Sequence, residues 1–200
     1  MNREVVLVFQ KNAILGKVKT RLASGMGELR ALEIYGHLIQ LTYSALEGVP
    51  VPVWTYFSDY IQEPTHPSVE KSFVQEGQDL GERMANAFAS SFESGMDKVV
   101  LIGTDCPTLQ SQHLLQAFEA LTNSDLVVGP ATDGGYYLIG MKGRAAYLFE
   151  GITWSTSQVL SQTLNVASQH GLTTTLLHKL DDIDTQEDWQ LYSNQFENKV

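Results

Sequence analysis

The sequence predicts an α/β domain: a three-layer α/β/α sandwich with a mainly parallel central sheet. Three observations lead there. Short apolar runs such as Glu4–Phe9 (EVVLVF) and Lys98–Ile102 (KVVLI) lack polar alternation, as expected of strands buried on both faces. Such runs alternate with segments of helical periodicity for most of the 200 residues. The polar motifs cluster where strands end, which is where open α/β sheets bind ligands.

The elements follow in order. After the first strand comes a loop, Gln10 to Leu22. Leu29–Leu46 carries Leu29, Leu32, Leu38 and Leu41 at helical spacing, and Gly48 and Pro50 close it. Val51–Phe57 reads as a second strand and Ser72–Gln75 as a short third. Leu80–Phe92 is a helix with Met84, Ala85, Phe88 and Phe92 on one side. Lys98–Ile102 runs into Gly103-Thr104-Asp105-Cys106-Pro107. Ser111–Leu121 is a helix with Ser111 as N-cap. Asp125–Gly129 and Tyr136–Met141 are strands separated by Asp133-Gly134-Gly135. Ser157–Gln169 is a helix closed by Gly171, Thr173–Leu177 a strand, and Thr185–Gln195 a helix opened by a capping box of Thr185 and Asp188. No repeat or linker interrupts the chain, so residues 1–200 are expected to form a single domain.

Composition narrows the function. An apolar fraction of 43% and a charged fraction of 18% belong to a globular chain and exclude a disordered one. No apolar run is long enough for a transmembrane helix, no secretory signal is expected, and one cysteine, Cys106, gives no disulfide framework. A cytoplasmic protein is the expectation. The net charge of −10 argues against a nucleic-acid binder. The charge is unevenly placed, however. The first thirty residues hold six basic residues against two acidic ones, and the remaining 170 hold seven against twenty-one. A local basic patch on an acidic chain suits a small polyanion such as a nucleotide.

Four motifs carry chemistry. In Lys11-Asn-Ala-Ile-Leu-Gly16-Lys17-Val-Lys19-Thr20-Arg21, Lys17, Lys19 and Arg21 alternate. They would project together from an extended loop and grip phosphate oxygens, Arg21 bidentately. The loop is no Walker A motif, because Gly16-Lys17 lacks the Ser or Thr that must follow. Asp105 at a strand end is placed either to hold Mg²⁺ or Mn²⁺ or to cap the next helix. Asp133-Gly134-Gly135 reads first as a hairpin turn; it also brings a carboxylate and two permissive backbones to a strand end. In Asp181-Asp182-Ile183-Asp184-Thr185, Asp182 and Asp184 are open candidates for a second metal carboxylate. Two further features are weaker. Gly81 and Arg83, at a helix entrance, have a possible ligand role, and Trp154-Ser155-Thr156-Ser157 is a capped loop whose Trp could pack on an acceptor. Cys106 reads as a small buried residue.

Taken in register, FxK-x4-GKVKTRL, LGERM, GTDCP, DGGYYLIG, WST and DIDTQED resemble the DUF2064 family, also called selenodomain-associated transferase 1, over about Val5 to Trp189. The resemblance implies the GT-A, or nucleotide-diphospho-sugar transferase, fold. It implies a metal-dependent transferase using a nucleotide-activated sugar, with nucleotidyl transfer from an NTP and release of pyrophosphate as the alternative. Its partners would be a nucleotide-sugar or NTP and a small-molecule acceptor. The resemblance implies that Lys11, Gly16, Lys17, Lys19 and Arg21 lie near the nucleotide phosphates and that Asp105 and Asp184 hold Mg²⁺ or Mn²⁺. The local reading adds Gly81, Arg83, Gly134 and Gly135 to the binding set, and Lys19, Arg21 and Asp133 are the candidates for catalysis. The chain departs from the family at Gln186, where a proline is usual, and at Asn12-Ala13-Ile14, where proline is frequent. It also has one aspartate, Asp105, where glycosyltransferases of this fold show an Asp-x-Asp pair.

Overall fold

A computed structural model describes residues 3–197 of the chain. Among these residues seven strands form one sheet: β1 (Glu4–Gln10), β2 (Val53–Phe57), β3 (Val69–Val74), β4 (Lys98–Ile102), β5 (Leu126–Pro130), β6 (Tyr136–Met141) and β7 (Thr174–Leu176). Their order is β3-β2-β1-β4-β6-β5-β7. β6 runs antiparallel to β4 and β5, and every other pairing is parallel. Among the described residues six α-helices accompany the sheet: α1 (Thr20–Met26), α2 (Glu28–Leu46), α3 (Leu80–Glu93), α4 (Ser111–Asn123), α5 (Val159–Gln169) and α6 (Gln186–Tyr192).

The absence of alternation in β1 and β4 has a direct cause. Val6, Val8, Val100 and Ile102 face one layer, where they meet Tyr43 and Leu46 of α2 and Leu114, Phe118 and Leu121 of α4. Val5, Leu7, Val99 and Leu101 face the other, against Met84 and Phe88 of α3 and Ala167 of α5. Both strands are covered on both faces, so each position must be apolar. A third, smaller cluster joins Leu22 of α1, Ile34 and Leu38 of α2, Ile183, and Trp189 of α6. It anchors the last acidic segment beside the first loop, more than 160 residues away in sequence.

The elements differ from the sequence reading in a few places. The Gln10–Leu22 loop ends in a short helix, α1, that periodicity does not disclose; seven residues give too little pattern. The third strand is longer than Ser72–Gln75. Ser111 does not cap α4. Its hydroxyl donates to Ala45 O (2.8 Å), and Gln110 is the N-cap residue. α5 starts at Val159 rather than Ser157, and α6 gives way to a π turn at Ser193–Glu197. At the start of α6, Thr185 accepts from Asp188 N while Asp188 accepts from Thr185 N (2.7 Å), the reciprocal capping box.

This topology places the site. From β1 the chain moves outward to β2 and β3, then returns to β4 on the other side of β1. The strand order therefore reverses between β1 and β4, and a crevice opens beyond their adjacent carboxyl ends. The antiparallel hairpin of β5 and β6 brings its turn to the same end. A parallel bridge between Ala131 and Leu180 leads the chain segment before α6 across it.

Candidate active site

A cleft of about 450 Å³ lies at this switch point. Its walls come from the loop after β1 (Lys11, Lys17, Lys19, Arg21), the end of β4 (Asp105), the β5–β6 turn (Asp133, Gly135), the Trp154–Ser157 loop, and Asp182 and Asp184. Four of the six basic residues in the first thirty converge here. The other two are engaged elsewhere: Arg3 pairs with Asp97, and Arg30 with Glu33.

The loop after β1 is not extended, so the alternation of Lys17, Lys19 and Arg21 is not what aligns them. Gly16 turns the chain at φ +74°, a conformation that side chains with a Cβ rarely adopt, and a Cβ there would also approach the Glu28 carboxylate at 3.2 Å. Lys19 follows at φ 49° and ψ 48° as the N-cap residue of α1, and Arg21 stands in the first turn of that helix. Two side chains fasten the loop. The buried Asn12 amide accepts from the N–H groups of Asp59 (2.9 Å) and Tyr60 (3.3 Å) and donates to Tyr60 O (2.9 Å). These bonds give the loop the restraint that proline would otherwise supply. The Tyr35 hydroxyl, from α2, accepts from Lys11 N (2.9 Å), donates to Lys11 O (3.1 Å) and meets Thr104 Oγ1 (3.1 Å). One hydroxyl thus ties the basic loop to the strand end that carries Asp105.

Lys19 sits between the two predicted metal carboxylates. Its Nζ is 2.7 Å from Asp105 Oδ1, 3.1 Å from Asp184 Oδ1 and 2.5 Å from Ile183 O, and its side chain is 4% exposed. Arg21 Nη2 takes the other Asp184 oxygen at 2.5 Å. Burial opposes the charge on Lys19, but Asp105 and Asp184 outweigh it and hold its pKa above the ordinary value. Burial likewise works against the Asp184 charge, yet Lys19, Arg21 and Lys11 hold that carboxyl below its ordinary range. Asp182 is different. Burial, then the charges of Asp105 and Asp133, push it up to about 7. Asp133 is exposed, and its Oδ1 accepts from Gly135 N (2.8 Å), as in the hairpin turn that its dipeptides suggest. Turn and cleft wall are therefore the same feature.

Four predicted residues do not line the cleft. Gly81 lies behind it: a Cβ there would come within 2.7 Å of Trp154 Nε1 and 2.9 Å of Phe149 O. Gly134, at φ +92°, lies against Ser157, whose carbonyl oxygen a Cβ would approach at 2.2 Å. Gly16 shapes its turn from outside. Arg83 is turned back to Gly77 O (3.2 Å). Conversely, Leu80 and Val159, which the sequence does not announce, join Tyr136 and Trp154 in an apolar wall; Tyr136 stands beside Gly135, where its sequence position suggests an aromatic face for a sugar or base. Ser155 beside it adopts φ 62° without being glycine, a strained backbone of the kind found at binding sites. Cys106 is buried and its thiol is pushed up to about 12, chiefly by burial, as expected of a small packed side chain.

Among the described residues no three His, Cys, Asp or Glu side chains gather closely enough to hold a metal ion by themselves. The donor chemistry nevertheless fits Mg²⁺ or Mn²⁺. Asp105 and Asp184 are hard oxygen donors on a cleft wall, and such ions are commonly held by one or two carboxylates with water and substrate phosphate completing the shell. No helix among the described residues is long and apolar enough to cross a membrane.

Comparison with known proteins agrees with this architecture. Residues 56–156 match the family model described as "uncharacterized protein conserved in bacteria (DUF2064)". The crystal structure of a provisionally assigned nucleotide-diphospho-sugar transferase from Desulfovibrio desulfuricans G20 is 30% identical, with a TM-score of 0.91 over 100% of this chain and 90% of that one. More distant structures share the fold. The inositol-1-phosphate CTP transferase of T. maritima is 16% identical with a TM-score of 0.61, covering 100% of this chain and 98% of that one. CMP:2-keto-3-deoxy-manno-octonic acid synthetase in complex with CTP is 11% identical with a TM-score of 0.59, covering 100% of both chains. No curated protein matches the sequence significantly. The chain belongs to the DUF2064 family and has the nucleotide-diphospho-sugar transferase fold.

Proposed function

We propose that the protein is a metal-dependent transferase that takes a sugar from a nucleotide-activated donor and passes it to a small acceptor in this cleft. One observation carries the reading. Loops from four separate strand ends meet at the topological switch point and bring four cations, Lys11, Lys17, Lys19 and Arg21, and four carboxylates, Asp105, Asp133, Asp182 and Asp184, into one cleft. Lys11, Lys17 and Arg21 neutralise the donor's phosphates. A divalent ion held by Asp105 and Asp184 would stabilise the diphosphate leaving group. Asp133, fixed by Gly135 N–H through one oxygen, presents the other oxygen to orient the acceptor or take its proton. Trp154 and Tyr136 offer apolar faces on which a sugar ring packs.

A second reading, nucleotidyl transfer from an NTP with release of pyrophosphate, has a specific observation in its favour. Gly103 stands two residues before Asp105, and the Thr104 between them is buried with its hydroxyl bound to Tyr35, so the strand end offers one carboxylate and no Asp-x-Asp pair. The folds shared with the two cytidine-nucleotide enzymes suit it as well.

One experiment decides between them. The protein is incubated with Mg²⁺ or Mn²⁺ and panels of nucleotide-sugars and NTPs, and thermal stabilisation and product release are followed. Stabilisation by nucleotide-sugars with release of NDP is expected. Pyrophosphate release from an NTP would replace the first reading with the second, and no response to any nucleotide would refute both. Asp105→Asn should abolish metal-dependent nucleotide binding; unchanged affinity would remove Asp105 from the metal site.

A further inference from the structure

An ammonium group has three N–H donors. All three of Lys19 are committed: to Asp105, to Asp184 and to the carbonyl of Ile183. None is left for a phosphate. The side chain is buried, and its backbone is fixed in the left-handed region at the entrance to α1. On the carboxylate side, Asp184 is equally occupied. One oxygen faces Lys19 and the other faces Arg21. An ion bridging Asp105 and Asp184 at about 2.0–2.1 Å from their oxygens would take the position Lys19 Nζ now holds, or lie against it with no anion between the two positive charges.

From this we infer that Lys19 is the resident cation of the Asp105–Asp184 pair and excludes a divalent ion until a phosphate draws the ammonium away. Metal entry is thereby coupled to nucleotide entry. Lys19 is a positioning residue in this account, acting on the metal through the two carboxylates. The inference rests on reading Asp105 and Asp184 as the metal carboxylates. It gives the bridging lysine a purpose that neither a structural ion pair nor a phosphate ligand has. A purely structural ion pair would stay closed whether or not phosphate is present, and a lysine already poised for phosphate would have a donor free.

The test uses Mn²⁺ alone, with no nucleotide, and reads bound ion from the electron paramagnetic resonance of the free ion. Lys19→Met should bind Mn²⁺ at least tenfold more tightly than the wild type, and adding Asp105→Asn should abolish the gain. Lys19→Gln, which keeps a donor for Ile183 O, should behave as Lys19→Met does and serves if the latter folds poorly. In the wild type, Mn²⁺ alone should leave the thermal midpoint unchanged. Equal Mn²⁺ affinity in wild type and variants, a gain that survives Asp105→Asn, or stabilisation of the wild type by Mn²⁺ alone would each overturn the inference. Because the decisive comparison contains no nucleotide, it stands apart from the nucleotide panel that tests the transferase reading.

Discussion

Tyr35→Phe removes one buried oxygen and leaves the ring and the net charge unchanged. The residue is 1% exposed and comes from the middle of α2. Its hydroxyl accepts from Lys11 N, donates to Lys11 O and meets Thr104 Oγ1. The variant leaves a backbone donor, a backbone acceptor and a buried hydroxyl without that partner. A neutral hydrogen bond contributes roughly 1 kcal/mol net, and an orphaned buried group costs about 1–3 kcal/mol. Lys11 borders the cleft, where water can replace part of what is lost. The expected loss is therefore about 2 kcal/mol, not the sum of three full penalties. For a chain of this size that corresponds to a fall in Tm of about 4–8 °C. Burial raises the Tyr35 pKa above the ordinary tyrosine value. The folded state thus favours the neutral phenol, and its contribution is fully present below a pH of about 10, the unfolded value. The loss should accordingly be the same at any pH between about 5 and 9. Urea unfolding of both proteins at several pH values measures it. The same variant should weaken nucleotide binding severalfold, because the basic loop is no longer tied to the strand end bearing Asp105. A change in stability below about 0.5 kcal/mol, within the range of neutral surface substitutions, would refute the claim that this hydroxyl joins the two loops.

Two further substitutions probe the cleft wall. Gly134→Ala meets a strained φ of +92° and places a Cβ 2.2 Å from Ser157 O. It should cost about 2–4 kcal/mol and lower activity by moving Asp133, as thermal unfolding and the product-release assay would show; a variant of wild-type stability would mean that the β5–β6 turn is not held against the Ser157 loop. Gly81→Ala should push Trp154 from its seat at a cost of about 1–3 kcal/mol. Intrinsic fluorescence should shift, since Trp54 and Trp189 stay buried, and unchanged emission with unchanged stability would exclude the contact.

The Asn12 and Tyr35 bonds show where sequence reading stops. Asn12 stands in a loop among residues of no evident pattern, and Tyr35 lies within a helical repeat where any large apolar side chain would satisfy the periodicity. Their partners, Tyr60 and Thr104, are 48 and 69 residues away. Nothing local marks them. Gly81 and Gly134 fail differently. Glycines near a motif suggest close approach to a ligand, but here the close approach is to Trp154 and to Ser157. A glycine records that something comes near without saying what.

What the sequence determined by itself is what depends on short-range chemistry. Unalternated strands such as EVVLVF require cover on both faces, helical periodicity supplies that cover, and the capping box at Thr185 is closed within four residues. Motif order was enough for the family and its fold. The tertiary structure alone decided what the charged residues do. Lys17, Lys19 and Arg21 look equivalent on paper, and a turn at Gly16 and a helix at Thr20 separate their fates. Lys19 is buried between Asp105 and Asp184, while Arg21 stays exposed beside Asp184. The energy of a charge depends on its solvent exposure and on neighbours within a few ångströms. Those neighbours are brought together by the strand-order reversal between β1 and β4, which belongs to the whole chain and to no segment of it.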